Sequence, residues 1–152
     1  MQTQGSPAVI LLVEDDPGDI ELTRRALEHG KLQNDLRVVC DGEQALDYLF
    51  QRGSFAATRE APRPDLILLD LNLPKLDGKE VLTEMRNHPD LARIPTVALT
   101  TSRREEDILD VYDLGVNSFI TKPLEMNDFI NVVQALEQYW LQIVVPPSLE
   151  GA

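Results

Sequence analysis

Four consecutive apolar residues, Leu66-Ile67-Leu68-Leu69, stand between Pro64 and Pro74 and lead straight into a carboxylate, Asp70. A run so short and so uniformly apolar reads as a strand buried on both faces, the condition of a parallel sheet covered by helices. The residue that ends such a strand emerges where open α/β sheets bind ligands, outside the carboxyl ends of the strands. An Asp at a strand end also caps turns, so this position alone leaves a structural and a chemical role open.

The same pattern recurs along the chain. Ala8 to Val13 reads as a first buried strand, and Asp16-Pro17 supplies an N-cap and a first-turn proline for a helix ending near Gly30. Leu36 to Cys40 is a second strand, followed by a helix from about Gly42 to Arg52 with Ala45, Leu46, Leu49 and Phe50 on one face. Beyond Asp70 come a helix over Gly78 to Asn87, a strand over Thr96 to Leu99 leading into Thr100-Thr101, and a helix over Arg104 to Leu114 closed by Gly115. A fifth strand, Ser118 to Thr121, leads into Lys122-Pro123, and a last helix runs from about Glu125 to Tyr139. Five strands alternating with five helices imply a doubly wound parallel α/β sheet of the flavodoxin-like kind, in strand order 2-1-3-4-5. Residues 1–7 read as an N-terminal arm, 8–140 as one domain and 141–152 as a tail. Gly53 to Pro64, polar and longer than most strand–helix connections, is expected to be an inserted, disordered loop.

The chain has 152 residues, the size of one ordinary domain. Its formal net charge of −12 argues against direct binding to nucleic acid or to an anionic membrane, which require clustered Lys and Arg. Cys40 is the single cysteine, which excludes an internal disulfide and a thiolate metal cluster and fits a reduced cytoplasmic setting. No basic leader is evident, and the early apolar run is too short for a membrane span.

With the sheet in this order, four strand ends carry Glu14, Asp15, Asp16, Asp70, Thr100, Thr101 and Lys122 to one rim. Crowded carboxylates repel unless a cation sits among them or one is protonated. Oxygen ligands favour a hard divalent ion, Mg²⁺ or Mn²⁺, and neither His29 nor His88 falls at the rim, so zinc is not expected. A metal with Lys122 and a Thr100 hydroxyl is what phosphoryl transfer demands, because charge spread over the equatorial oxygens must be met by preorganised cations and donors. Asp70 would then be the nucleophile, forming an aspartyl phosphate.

Leu11-Leu12-Val13-Glu14-Asp15-Asp16, Leu68-Leu69-Asp70-Leu71-Asn72-Leu73-Pro74, Leu99-Thr100-Thr101-Ser102 and Phe119-Ile120-Thr121-Lys122-Pro123 together resemble the signature of receiver domains of two-component response regulators. The match spans about Ala8 to Tyr139. The resemblance implies Asp70 as phosphoacceptor, Asp15 as a direct Mg²⁺ ligand, Glu14 as a ligand mainly through water, and the backbone carbonyl of Asn72 as a further ligand. It implies that Thr100, with Thr101 beside it, contacts the phosphoryl group, that Lys122 pairs with it, and that the Lys122-Pro123 peptide is cis. Thr100 and Phe119 occupy the switch positions, where Phe replaces the commoner Tyr. Asn72 and Ser102 match positions that tune water access to the acyl phosphate.

More narrowly, the 53–64 insertion, the turn from Asp70 to Lys75 and the Glu137-Gln138-Tyr139-Trp140 end resemble the small response regulators that serve cyanobacterial phytochromes. That resemblance implies a sensor histidine kinase, a phytochrome, as phosphoryl donor, a signalling rather than an enzymatic role, and no DNA-binding domain. Phosphorylation would bias the face formed by the fourth helix, the fifth strand and the fifth helix. The apolar tail beyond the last helix, with Trp140, Ile143 and Val144, is expected to form a homodimer contact. Two other classes remain: a phosphohydrolase of the haloacid dehalogenase type, which wants a second Asp where Asn72 stands, and a pseudo-receiver scaffold that is never phosphorylated.

Overall fold

The computed structural model describes residues 7–29, 33–56, 61–73, 78–100, 113–116, 118–122, 127, 130–131 and 134–135. Five strands, β1 (Ala8–Val13), β2 (Asn34–Val39), β3 (Leu66–Asp70), β4 (Thr96–Thr100) and β5 (Ser118–Thr121), form one sheet in the order β2-β1-β3-β4-β5. Every pairing is parallel, as the strand–helix rhythm predicts. The helices bounded within the described residues are α1 (Pro17–Glu28), α2 (Gly42–Leu49), α3 (Gly78–Arg86) and a short α4 (Pro89–Ala92).

Every residue of β3 and β4 is buried, which is why these segments are apolar without alternation. Successive side chains serve opposite cores. Leu11, Val13, Ile67, Leu69 and Ala98 pack with Ala45, Leu46 and Leu49 of α2 and with Val81, Leu82 and Met85 of α3. On the other face Ile10, Leu12, Leu66, Leu68, Val97 and Leu99 meet Ala26 and Leu27 of α1, with Ile130 partly buried beside them. Each fully buried Leu or Ile contributes about 1.5–3 kcal/mol, so register at the centre of the sheet is strongly specified.

Caps set where the helices begin. The Asp16 side chain accepts from Gly18 N at 3.2 Å with Pro17 in the first helical position, and Asp41 Oδ1 accepts from Gln44 N at 2.7 Å. Gln44 Oε1 answers by accepting from Cys40 N at 2.9 Å. At the opposite end of the sheet, Asp65 clasps β1: its N–H donates to Val9 O at 2.7 Å and its Oδ2 accepts from Val9 N at 2.8 Å.

Several boundaries differ from the sequence reading. α2 stops at Leu49 rather than Arg52, because Gln51 turns to a φ of 52° and Gly53 to 58°, starting a 3-10 turn over Gly53–Phe55. The segment expected to be a disordered loop is packed at both of its described ends. Ala61 is buried, the Tyr48 hydroxyl donates to Pro62 O at 2.8 Å, and Gln51 Nε2 donates to Ala61 O at 3.0 Å, while residues 57–60 lie outside the described residues. β2 begins at Asn34, which pairs with Ala8, and β4 continues through Thr100. The α4 turn was not anticipated; Pro89 starts it and buried Leu91 anchors it.

The helix expected over 104–114 lies outside the described residues except at its end. There Asp113 is helical, Gly115 adopts a φ of 97°, and Arg86 Nη1 donates to the Asp113 carbonyl. Of the last helix, Asn127, Ile130, Asn131, Gln134 and Ala135 are described and helical.

Gly78 opens α3 directly beneath the end of β3. A Cβ there would lie 2.7 Å from both Asp70 O and Leu71 Cα, backbone atoms that cannot rotate away. Gly78→Ala is therefore expected to lower stability by about 1–3 kcal/mol, read as a shift of the urea midpoint at unchanged m-value. A midpoint equal to that of the parent would show that the strand end yields freely.

Candidate functional site

Because the four strands β1, β3, β4 and β5 run parallel, their last residues arrive on one rim. Val13 stands opposite Leu69, Asp70 opposite Leu99, and Thr100 opposite Thr121. The ladders run one residue further: Leu71 N donates to Leu99 O at 2.8 Å and Lys122 N to Thr100 O at 2.7 Å. Backbone pairing thus fixes where Asp70, Thr100 and Lys122 begin their side chains.

Asp70 is almost fully buried, at 2% exposure. Its two oxygens have different partners. Oδ1 accepts from Asn72 N at 2.8 Å, an Asx-type turn that closes the strand, and Oδ2 accepts from Lys122 Nζ at 3.0 Å. The turn role and the chemical role that the sequence left open are therefore both present, one on each oxygen. Glu14 is wholly buried: Oε2 accepts from Asp15 N at 3.1 Å and Asp16 N at 3.2 Å, folding the carboxylate back over the β1–α1 turn. Oε1 accepts no hydrogen bond among the described residues, but lies 2.7 Å from Lys122 Nζ as an ion pair.

Lys122 meets a third carboxylate, Asp19 Oδ2 of α1, at 2.9 Å. Sequence reading missed Asp19. Following an Asp N-cap by three positions, it reads as a capping or helix-dipole residue. In the fold, the Asp16 N–H that a capping box would use already donates to Glu14, and the Asp19 carboxylate pairs with the lysine.

Desolvation works against the Lys122 charge, but Glu14, Asp19 and Asp70 outweigh it and push the ammonium pKa up. Burial pushes Glu14 from its ordinary 4.5 up to about 7, with the neighbouring Asp70 adding to the rise and Lys122 opposing it.

Carboxylate oxygens of Glu14, Asp15 and Asp70 all lie within 4.8 Å of one another. Asp15 is exposed beside its two buried neighbours, so the cluster has an open side. Together with the Glu14 Oε1 that lacks a hydrogen bond, this all-oxygen donor set fits a hard divalent cation of the Mg²⁺ or Mn²⁺ type. Thr100 is buried at the adjoining strand end. Asn72 is exposed, tied to Asp70 through its N–H. Phe119, opposite Ala98, is half-buried against the α2–α3 core. His88 packs its ring on Phe50 with centroids 4.7 Å apart, away from the carboxylates. Thr101, Ser102, Pro123 and hence the Lys122-Pro123 peptide, and Trp140, Ile143 and Val144, lie outside the described residues.

Comparison with known proteins agrees with this geometry. The response regulator receiver domain family matches residues 10–134. The response regulator Rcp1 of Synechocystis sp. is 45% identical over 142 residues, covering 93% of this chain and 95% of the relative. The phosphorylated cyanobacterial phytochrome response regulator RcpA superposes with a TM-score of 0.78 at 46% identity, covering 90% and 95% of the two chains. The Mn²⁺-bound form of Rcp1 superposes with a TM-score of 0.78 at 45% identity, covering 93% and 99%. Nothing in these likenesses supports a haloacid dehalogenase.

A carboxyl whose pKa is higher folded than unfolded favours folding fully only below its unfolded value, and that contribution is lost as pH rises through the folded value. For Glu14 the window runs from 4.5 to about 7. Glu14→Gln cannot ionise, so in metal-free buffer its stability relative to the parent is expected to grow by about 1–3 kcal/mol across that window and then level off. Denaturant unfolding at a series of pH values checks this; a difference that shrinks as pH rises would refute the buried-carboxyl account.

Proposed function

The chain belongs to the response regulator receiver-domain family, and from that premise we propose that it accepts a phosphoryl group on Asp70 from a sensor histidine kinase, specifically a phytochrome. The observation that carries the reading is Asp70 itself. It is a buried carboxylate at a strand end, 3.0 Å from a lysine ammonium and clustered with Glu14 and Asp15. That Rcp1 is described with Mn²⁺ and RcpA in phosphorylated form supports the same chemistry here.

Glu14, Asp15, Asp70 and the Asn72 carbonyl would hold the Mg²⁺ or Mn²⁺ ion. When bound, the ion neutralises charge between the acceptor carboxylate and the phosphoryl oxygens. An oxygen of Asp70 attacks phosphorus in line, an O–P bond forms as the N–P bond of phosphohistidine breaks, and the imidazole nitrogen leaves with the electron pair. Lys122 pairs with the incoming oxygens, and the Thr100 hydroxyl, with Thr101 beside it, donates to them. Attack by water on the same phosphorus forms a new O–P bond as the Asp70 O–P bond breaks, the carboxylate leaving with the electron pair and inorganic phosphate being released, so the chain catalyses both its own modification and its reversal.

The added charge of about −1.5 to −2 draws Thr100 and Lys122 inward. Phe119 fills the space that Thr100 leaves, biasing the face of the 104–114 helix, β5 and the last helix; contacts worth a few kcal/mol suffice for such a switch. Trp140, Ile143 and Val144 of the terminal segment serve a homodimer, with residues 8–140 as the receiver unit.

Incubation with acetyl phosphate and Mg²⁺ is expected to add one phosphoryl group by intact mass, and Asp70→Asn to abolish it. Modification that survives in Asp70→Asn would move the acceptor elsewhere; no uptake by the parent, with or without a phytochrome kinase, would make the chain a pseudo-receiver. Sedimentation at micromolar concentration is expected to give twice the chain mass, and a single-chain mass in both phosphorylation states would remove the dimer.

A further inference from the structure

An ammonium has three N–H donors and no more. The Lys122 ammonium is ringed by three carboxylate oxygens: it donates to Asp70 Oδ2 at 3.0 Å and forms ion pairs with Glu14 Oε1 at 2.7 Å and Asp19 Oδ2 at 2.9 Å. Pairing with a phosphoryl group on Asp70 needs those same donors. The Asp70 contact is replaced by the phosphoryl oxygens themselves, and Glu14 belongs to the carboxylate cluster across which the metal would sit. Asp19 belongs to neither group. It reaches the lysine from α1, and both side chains are largely shielded, at 20% and 12% exposure, so solvent does little to weaken the pair.

We propose that Asp19 is a positioning residue: it parks the Lys122 ammonium on the α1 side of the rim and competes with the phosphoryl group for it. The unphosphorylated state is thereby favoured, and the two ends of the β1–α1 and β5 connections stay joined until phosphate arrives. The inference rests on Asp70 being the phosphoacceptor. It adds a residue that sets how far the phosphorylated state is populated without touching the phosphoryl group.

Beryllofluoride, an analogue that binds the acceptor carboxylate as a phosphoryl group would, measures this equilibrium at saturating Mg²⁺. Asp19→Asn is expected to bind it about three- to fivefold more tightly than the parent. The gain must run through the lysine, so adding Asp19→Asn to a Lys122→Ala background is expected to change nothing. Equal tightening in both backgrounds would show only the removal of a distant negative charge and would overturn the proposal, as would unchanged or weaker binding by Asp19→Asn.

Should Lys122→Ala not fold, Glu21→Gln takes its place as the control. It removes one charge from the same helix, where Glu21 pairs with Arg25 at 2.9 Å. Tightening by Glu21→Gln equal to that by Asp19→Asn would likewise overturn the role. A parent that takes up no beryllofluoride at all, with Asp70 unmodified by acetyl phosphate, would instead defeat the phosphoacceptor reading itself.

Discussion

The rim of this sheet holds together because one cation is shared among carboxylates that would otherwise expel one another. Glu14 and Asp70 are both removed from water, and an isolated buried carboxylate is costly enough that it protonates or the fold gives way. Lys122 answers three such charges from the end of a strand that shares no backbone pairing with β1 or β3. Its reach across the rim joins the β1–α1 turn, β3 and β5 electrostatically, where hydrogen-bonded ladders cannot. The compensation is incomplete, since Glu14 stays well above its ordinary pKa and the cluster still carries more negative charge than one lysine neutralises. That shortfall is a standing attraction for a second cation, and the same feature makes the site responsive to what binds there.

Much of this was legible in the sequence because burial on two faces leaves a simple trace. The interiors of Ala8–Val13, Leu66–Asp70 and Thr96–Thr100 are apolar without alternation since both sides meet a helix layer, and parallel order then dictates that their ends converge. Glu14, Asp15, Asp70, Thr100 and Lys122 could be placed on one rim from the sequence, because each ends or closely follows a strand whose position the rhythm sets.

Other parts were hidden for physical reasons. The end of α2 is decided by a left-handed Gln51, a residue type with no marked preference for that conformation, so nothing local announces it. The 53–64 segment looks polar and loose because its ties to the core are few and scattered: Phe55 edge-on to Tyr48, the small residue Ala61, and backbone carbonyls accepting from Tyr48 and Gln51. Composition records side chains and not carbonyl partners. Asp19 was masked by a second, sufficient explanation: an acid in the first turn of a helix needs no partner to account for it.

The clasp of Asp65 on Val9 lies at the end of the sheet away from the acids, and it joins β1 to the start of β3 by a backbone and a side-chain bond together. The β1–β3 pair is thus fastened at both ends, by this clasp at one and by the strand ladder and the shared lysine at the other. Of the strands on the far side of that pair, β5 is held by β4 alone, so a rearrangement at the rim meets least backbone restraint there.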